Sequence, residues 1–163
     1  MTTHADTPPT APARPPARRR ASTGARVLAG AGALAGLTVL GLAAWITPDA
    51  AGHGTHTQLG LPDCAWAQAF DKPCATCGMT TSFSYASHGD LLGAASTQPF
   101  GFLLAVVTAA GVWGAGHVAA TGSMIGVAAA RLLNAKVLWG SVALLLMAWA
   151  YKFVTWTGSS GGL

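Results

Sequence analysis

The 163-residue chain contains no glutamate, and charged residues of all kinds make up only 9% of it. Soluble domains carry about 25% charged residues, so this chain cannot cover its surface with charge. Apolar residues reach 52%, and the mean hydropathy is +0.45. This composition excludes an ordinary soluble globular domain and indicates that lipid covers much of the surface.

Several motifs of enzymes and transporters are also missing. No glycine-rich loop precedes a Lys-Ser or Lys-Thr pair, and no Gly-x-Ser-x-Gly sequence occurs, so nucleotide binding and serine-hydrolase chemistry have no support. The long apolar runs hold no acidic residue, which argues against a cation-coupled transporter.

Three apolar runs predict three transmembrane helices, over residues 27–46, 99–120 and 137–156. The first is 20 uncharged residues long, and a helix of that length spans ~30 Å, the thickness of the hydrocarbon core. A cleavable signal peptide is the rival interpretation, but its apolar core runs only about 7–15 residues. We therefore expect an all-α integral membrane protein whose first helix is retained.

The lysine and arginine residues predict the orientation of these helices. Five arginines precede the first run: Arg14, Arg18, Arg19, Arg20 and Arg26. Positive residues collect on the cytoplasmic side, so we expect a multi-pass protein of the inner or plasma membrane with its N-terminus in the cytoplasm. The basic residues suit this role better than nucleic-acid binding, and the expected partners are the lipid bilayer and another membrane protein, with no nucleic acid.

This topology divides the chain into a tail, a membrane domain and a short end. Residues 1–24 are rich in proline and arginine and predict a disordered cytoplasmic tail, and residues 158–163 predict a flexible C-terminus. The membrane domain covers residues 25–157, with an outer loop at 47–98 and an inner loop at 121–136.

Two further points concern the segment 123–134 and Lys152. Residues 123–134 form either a short amphipathic helix on the inner leaflet or an extension of the third span. Lys152, near the outer end of that span, is expected to extend its long side chain to the headgroups.

The outer loop carries all three cysteines, Cys64, Cys74 and Cys77. The residues after Cys77 predict a short helix with Met79, Phe83 and Ala86 on one face. Gly89 ends that helix, and Asp90 is expected to cap a second short helix that runs to Gln98. The fold prediction therefore includes short helices within an extracytoplasmic, cysteine-bearing loop.

Four interpretations of the cysteines remain open. Cys64 can form a structural disulfide with Cys74 or Cys77 outside the membrane, where thiols oxidise. Cys74 and Cys77 can act as a redox pair, although the βαβ pattern of thioredoxin-like proteins is absent. The cysteines can also pack as small apolar groups.

The fourth interpretation is a metal site. Three thiolates and His88 would make a Cys₃His zinc site, with His53 or His56 as alternatives to His88. Copper(I) would accept the thiolates together with Met79. Against this interpretation, a histidine such as His88 more often caps a helix end than binds a metal.

The ordered motifs of the outer loop resemble a known family. They comprise Leu61-Pro62-Asp63-Cys64, Lys72-Pro73-Cys74-Ala75-Thr76-Cys77-Gly78-Met79-Thr80, His88-Gly89-Asp90-Leu91 and Gln98-Pro99. This arrangement, over roughly residues 59–120, is similar to the domain of unknown function 2752 (DUF2752) family of small bacterial membrane proteins.

The resemblance implies an integral membrane protein and supplies no activity. Many members of the family carry arginine directly after the motif threonine, where this chain has Thr81, so a role for that arginine does not transfer. Gln98 stands where the family has asparagine.

Together these observations favour a non-enzymatic membrane protein with a structural or metal-binding site at Cys64, Cys74 and Cys77. The alternative is a membrane thiol–disulfide oxidoreductase that uses the Cys74-x-x-Cys77 pair. The expected cofactor is none, or zinc or copper at the cysteines.

Overall fold

The computed structural model describes residues 20–124, 126 and 134–156, and all regular elements in these ranges are helical. The α-helices are α1 Thr23–Trp45, α2 Ala65–Phe70, α3 Met79–Ser87, α4 Leu91–Thr97, α5 Pro99–Thr121 and α6 Ala135–Val154. A short 3₁₀ helix covers Thr55–Leu59. The predicted all-α fold, with short helices between long ones, is confirmed.

The helices α1, α5 and α6 are 23, 23 and 20 residues long, and each is long and apolar enough to cross a membrane. At 1.5 Å per residue they reach ~30 Å or more, which matches the hydrocarbon core. The chain is therefore a multi-pass membrane protein by the length and composition of its helices.

Some sequence expectations fall outside the described residues. These are most of the predicted tail, at residues 1–19, most of the ambiguous segment 123–134, at residues 125 and 127–133, and the predicted C-terminal end, at residues 158–163.

Side chains at the helix starts supply the caps. The Asp90 carboxylate accepts a hydrogen bond from the Gly93 amide at 2.8 Å, which confirms the expected cap of α4. Asn134 accepts from the first amides of α6 at 3.0 and 3.1 Å. The buried Gln98 caps α5 through the Gly101 amide, and Pro99 occupies the first helical position, where its missing N–H is harmless.

The helices α1 and α5 pack against each other in an antiparallel pair. A Cβ atom on Gly36 would lie only 2.5 Å from a Val112 methyl, so glycine lets the two backbones approach here. At the start of α1, the Arg26 guanidinium donates to the carbonyls of Ala119 and Ala120 at 2.9 and 3.1 Å. The basic end of α1 therefore lies at the carboxyl end of α5.

The helix α3 packs against the opposite end of this pair. Phe83 contacts Ala43 and Ala105 in a small apolar core, flanked by Met79 and Ala86, as its predicted face requires. Ser84, on the polar side of α3, is buried as well. Its hydroxyl group is satisfied there, because Oγ donates to the Ile46 carbonyl at 2.6 Å.

The last helix, α6, returns to the same end as α3. Its Trp149 indole donates to the Pro73 carbonyl at 3.0 Å, and its Tyr151 hydroxyl donates to the Ser96 carbonyl at 2.9 Å. The cysteine-bearing segment therefore lies at the end of the long helices that is remote from Arg26.

Candidate functional site

All three cysteines line one cleft of about 900 Å³ at this end of the molecule. The other polar residues that line it include Asp49, His53, His56, Asp63 and Thr76. Its volume lies in the range of about 300–1,000 Å³ that is typical of small-ligand sites. The segment between α1 and α5 thus brings together the three cysteines, Cys64, Cys74 and Cys77.

A tight turn holds the Cys74-x-x-Cys77 motif. The Cys77 amide donates to the Cys74 carbonyl at 3.0 Å, and the Met79 amide donates to the Thr76 carbonyl at 3.1 Å. Gly78 follows at φ +82°, a left-handed conformation that favours glycine, and it caps the N-terminus of α3. The turn thus leads directly from the cysteine pair into the packed helix.

Cys74 is the more accessible cysteine of the pair, since its side chain is partly exposed. Burial by itself would raise the pKa of Cys74. Hydrogen bonds from the side chain and backbone of Thr76 and from Cys64 outweigh burial, so the pKa of Cys74 falls below the ordinary thiol value. The Thr76 hydroxyl lies 3.6 Å from the Cys74 sulfur. A lowered pKa increases the fraction of reactive thiolate at neutral pH.

Cys77 has the opposite environment, and its side chain is only 8% exposed. Burial first, and then the charge of Cys74, raise the pKa of Cys77 to about 11, while Lys152 acts in the opposite direction. Cys77 is therefore a protonated, sheltered thiol beside an accessible thiol that ionises more readily. The two sulfurs of the motif are chemically inequivalent.

Lys152 corrects one expectation from the sequence. Its side chain does not extend away to the headgroups, because it is only 6% exposed. Its ammonium donates to the Gly52 carbonyl at 3.0 Å, beneath the cysteine-bearing segment. The lysine side chain turns into the protein because its ammonium binds this carbonyl, and because Gly52 and Gly78 have no side chains that would occupy the space.

His88 does not line the cysteine cleft. It caps the end of α3, where its Nδ1 atom lies 2.8 Å from the Ser84 carbonyl. Within residues 20–124, 126 and 134–156, no three His, Cys, Asp or Glu side chains are arranged to hold a metal ion. The structure therefore does not bring the fourth proposed ligand to the cysteines, and the capping interpretation describes His88.

The two histidines given as alternatives to His88, His53 and His56, do line the cleft. The His53 ring packs against the Trp156 ring, tilted by 33° with 4.7 Å between the ring centroids. The His56 Nε2 atom lies 3.1 Å from the Pro62 carbonyl oxygen, within hydrogen-bond distance. The three cysteines all fall in the described part of the chain and are free thiols there.

Sequence reasoning missed the contacts that join α6 and Trp156 to the cysteine-bearing segment. The Trp156 indole donates to the Asp71 carbonyl at 3.1 Å, and Trp149 and Lys152 hold Pro73 and Gly52 in the same way. A lysine inside an apolar run is by itself a signal of function, and this signal could have drawn attention to Lys152. Nothing local in the sequence indicates which carbonyls the two indoles meet.

Residues 64–112 match a family described as "Protein of unknown function (DUF2752)". The match begins at Cys64, includes all of α3 and α4, and ends within α5. Comparison with the curated proteins and with the solved structures gave no match. The similarity to the DUF2752 family that the outer-loop motifs predict is thereby confirmed over residues 64–112.

Proposed function

We propose that this membrane protein carries out thiol–disulfide exchange, with Cys74 as the attacking thiol and Cys77 as the resolving thiol. Of the interpretations that the sequence left open, this one has the best support from the inequivalence of the two sulfurs. Cys74 is accessible and its pKa is lowered, whereas Cys77 is buried and has a pKa of about 11. A structural disulfide or an apolar cysteine needs no such difference.

The reaction has two balanced steps. The Cys74 thiolate attacks one sulfur of a disulfide in a partner, forms a mixed disulfide and releases the other sulfur as a thiolate, which takes up a proton. Cys77 then loses its proton, attacks the Cys74 sulfur and releases the second partner thiol. The partner disulfide is reduced to two thiols, and Cys74 and Cys77 are oxidised to a disulfide. The reverse sequence oxidises a dithiol partner.

The proposal includes an orientation. The arginines before α1 are expected to remain in the cytoplasm, and the cleft lies at the end of the bundle remote from Arg26. The cleft would then face the outside of the cell membrane, where disulfides form and persist. The chemical class of partner is a disulfide or dithiol of a membrane or extracytoplasmic protein.

Trapping the mixed disulfide tests this function. The unaltered protein, Cys74→Ser, Cys77→Ser and Cys64→Ser are purified in mild detergent, reduced, and exposed to oxidised glutathione. We expect Cys77→Ser to accumulate one glutathione on Cys74, measured by mass spectrometry of peptides. Cys74→Ser should accumulate none at this motif, and the unaltered protein should pass on to the Cys74–Cys77 disulfide.

The control variant Cys64→Ser separates the pair from the third cysteine. It should still reach the Cys74–Cys77 disulfide, because Cys64 is not a member of the reacting pair. Loss of resolution in this variant would assign that step to Cys64 and contradict the proposal. Stoichiometric zinc or copper that is lost in Cys74→Ser would also contradict it and would favour the metal site.

A further inference from the structure

Lys152 is a buried cation in one of the three membrane-length helices. It is 6% exposed, and the hydrogen bond described for its ammonium goes to one backbone carbonyl, that of Gly52 at 3.0 Å. An ammonium has three donors, and a buried charge is expensive unless opposite charge or further hydrogen bonds compensate it. A positive group in this position is therefore expected to serve a nearby negative charge.

Two glycines make the space for this ammonium. Gly52 and Gly78 both have positive φ, at +72° and +82°. A Cβ atom would lie 3.1 Å from Nζ if added to Gly52, and 3.3 Å from Nζ if added to Gly78. Because Gly78 directly follows Cys77, this geometry brings the ammonium against the backbone next to the buried thiol.

The charge of Lys152 acts on Cys77. Burial, Cys74 and Cys64 all raise the pKa of Cys77, and the attraction of Lys152 lowers it. Once Cys74 has formed a mixed disulfide it carries no charge, so its repulsion of a Cys77 thiolate ends. The attraction of Lys152 remains, and it then favours the thiolate at the step that requires it.

We propose that Lys152 is a positioning residue for the second step of the exchange, in which its ammonium, held between Gly52 and Gly78, stabilises the Cys77 thiolate. This inference rests on the proposed function. In that step the Cys77 proton leaves to water in the cleft, the Cys74–Cys77 bond forms and the bond from Cys74 to the partner sulfur breaks. The departing partner thiolate takes up a proton.

The two steps are timed separately by rapid mixing with oxidised glutathione and acid quench. The variants are Lys152→Gln, which removes the charge and keeps an N–H donor, and Lys152→Arg, which keeps both. A rise of one unit in the pKa of Cys77 reduces its thiolate fraction about ten-fold at neutral pH, so we expect Lys152→Gln to slow resolution by roughly that factor. Formation of the mixed disulfide should be unchanged, and Lys152→Arg should restore most of the resolution rate.

Lys72→Gln is the matched control. Lys72 lies near the same end of α6, with its ammonium 5.3 Å from the centre of the Phe153 ring, and it does not line the cysteine cleft. The Lys72→Gln variant should leave the rates of both steps unchanged, which separates the local effect of Lys152 from a general effect of positive charge.

Three results would overturn the inference. They are unaltered resolution in Lys152→Gln, equal slowing of both steps, and slow resolution in Lys152→Arg. Lys152→Met provides a second uncharged variant, and failure of both uncharged variants to fold while Lys152→Arg folds would assign the lysine to stability instead. Absence of the mixed disulfide in Cys77→Ser, together with absence of the Cys74–Cys77 disulfide in the unaltered protein, would contradict the proposed function itself, so the two failures are distinguishable.

Discussion

At the scale of single residues, the chemistry of the cleft depends on where each sulfur and each glycine lies. Cys74 and Cys77 are only three positions apart, yet one is partly exposed beside Thr76 and the other is 8% exposed above Lys152. Desolvation and hydrogen bonding shift a pKa in opposite directions, so neighbours in sequence can ionise very differently. One prediction at this scale concerns these two thiols, and a second concerns the glycine that follows Cys77.

The two thiols should be alkylated with different pH dependences. The Cys74 thiolate should appear below the ordinary thiol pKa, since its pKa is lowered, whereas the Cys77 thiolate should appear only as the pH approaches about 11. Iodoacetamide labelling of the reduced protein from pH 6 to 11, followed by peptide mass spectrometry, measures both curves. A single shared curve would contradict the assignment of the two roles.

Gly78→Ala should destabilise the protein more than Gly89→Ala. Both glycines have left-handed φ, at +82° and +84°, where an alanine costs about 1–2 kcal/mol. An added Cβ on Gly78 would also lie 2.6 Å from the Gly52 carbonyl oxygen, whereas nothing lies within 4 Å of one on Gly89. Thermal unfolding of the two variants in the same detergent measures the difference, and equal losses would show that the close approach to Gly52 is unimportant.

At the scale of elements, α6 is joined to the cysteine-bearing segment by side-chain donors on its last turns. Trp149, Lys152 and Trp156, the last just beyond the helix, each donate to a backbone carbonyl more than 70 residues earlier in the chain. Backbone carbonyls outside a regular helix need other hydrogen-bond partners, and these three donors supply them. The position of α6 should therefore control access to Cys77.

Trp149→Phe should loosen the cysteine segment. The change keeps an aromatic ring and removes the N–H donor to Pro73, a loss of about 1 kcal/mol for one hydrogen bond. We expect faster alkylation of Cys77 at fixed pH and a lower unfolding midpoint. Trp139→Phe is the control on the same helix, because Trp139 is 71% exposed, and an equal effect of both changes would argue against a specific role for the Pro73 contact.

At the scale of the whole molecule, the three long helices α1, α5 and α6 place the cleft and Arg26 at opposite ends. Arg26 caps the end of α5 at one end, and Lys152 holds Gly52 at the other. A membrane-spanning bundle with this arrangement exposes the cysteines on one side only. Their accessibility therefore reports the orientation of the protein.

Cys74 should react with a membrane-impermeant maleimide added outside intact cells. The positive-inside rule assigns the arginine-rich end to the cytoplasm, which leaves the cleft outside. In a Cys64→Ser, Cys74→Ser, Cys77→Ser background, Thr10→Cys should be labelled only after the cells are permeabilised. The reverse pattern in both proteins would invert the proposed topology.

The long helices were predictable because their signal is local. Each is a run of about twenty apolar residues, and every residue needed to recognise the run lies within it. The same holds for α4, because its cap Asp90 accepts a hydrogen bond from the Gly93 amide only three residues later. The candidate site was predictable in part, since the cysteine spacing indicated Cys64, Cys74 and Cys77 but also suggested His88 as a fourth member.

Composition and local pattern by themselves therefore determined an all-α membrane architecture and the segment that carries the cysteines. Only the tertiary structure decided that Cys74 and Cys77 differ and that Lys152 turns inward to Gly52. Lys152 and Gly52 are 100 positions apart. Their contact depends on the path of the intervening helices, and burial and electrostatic environment at a residue depend on every segment that folds against it.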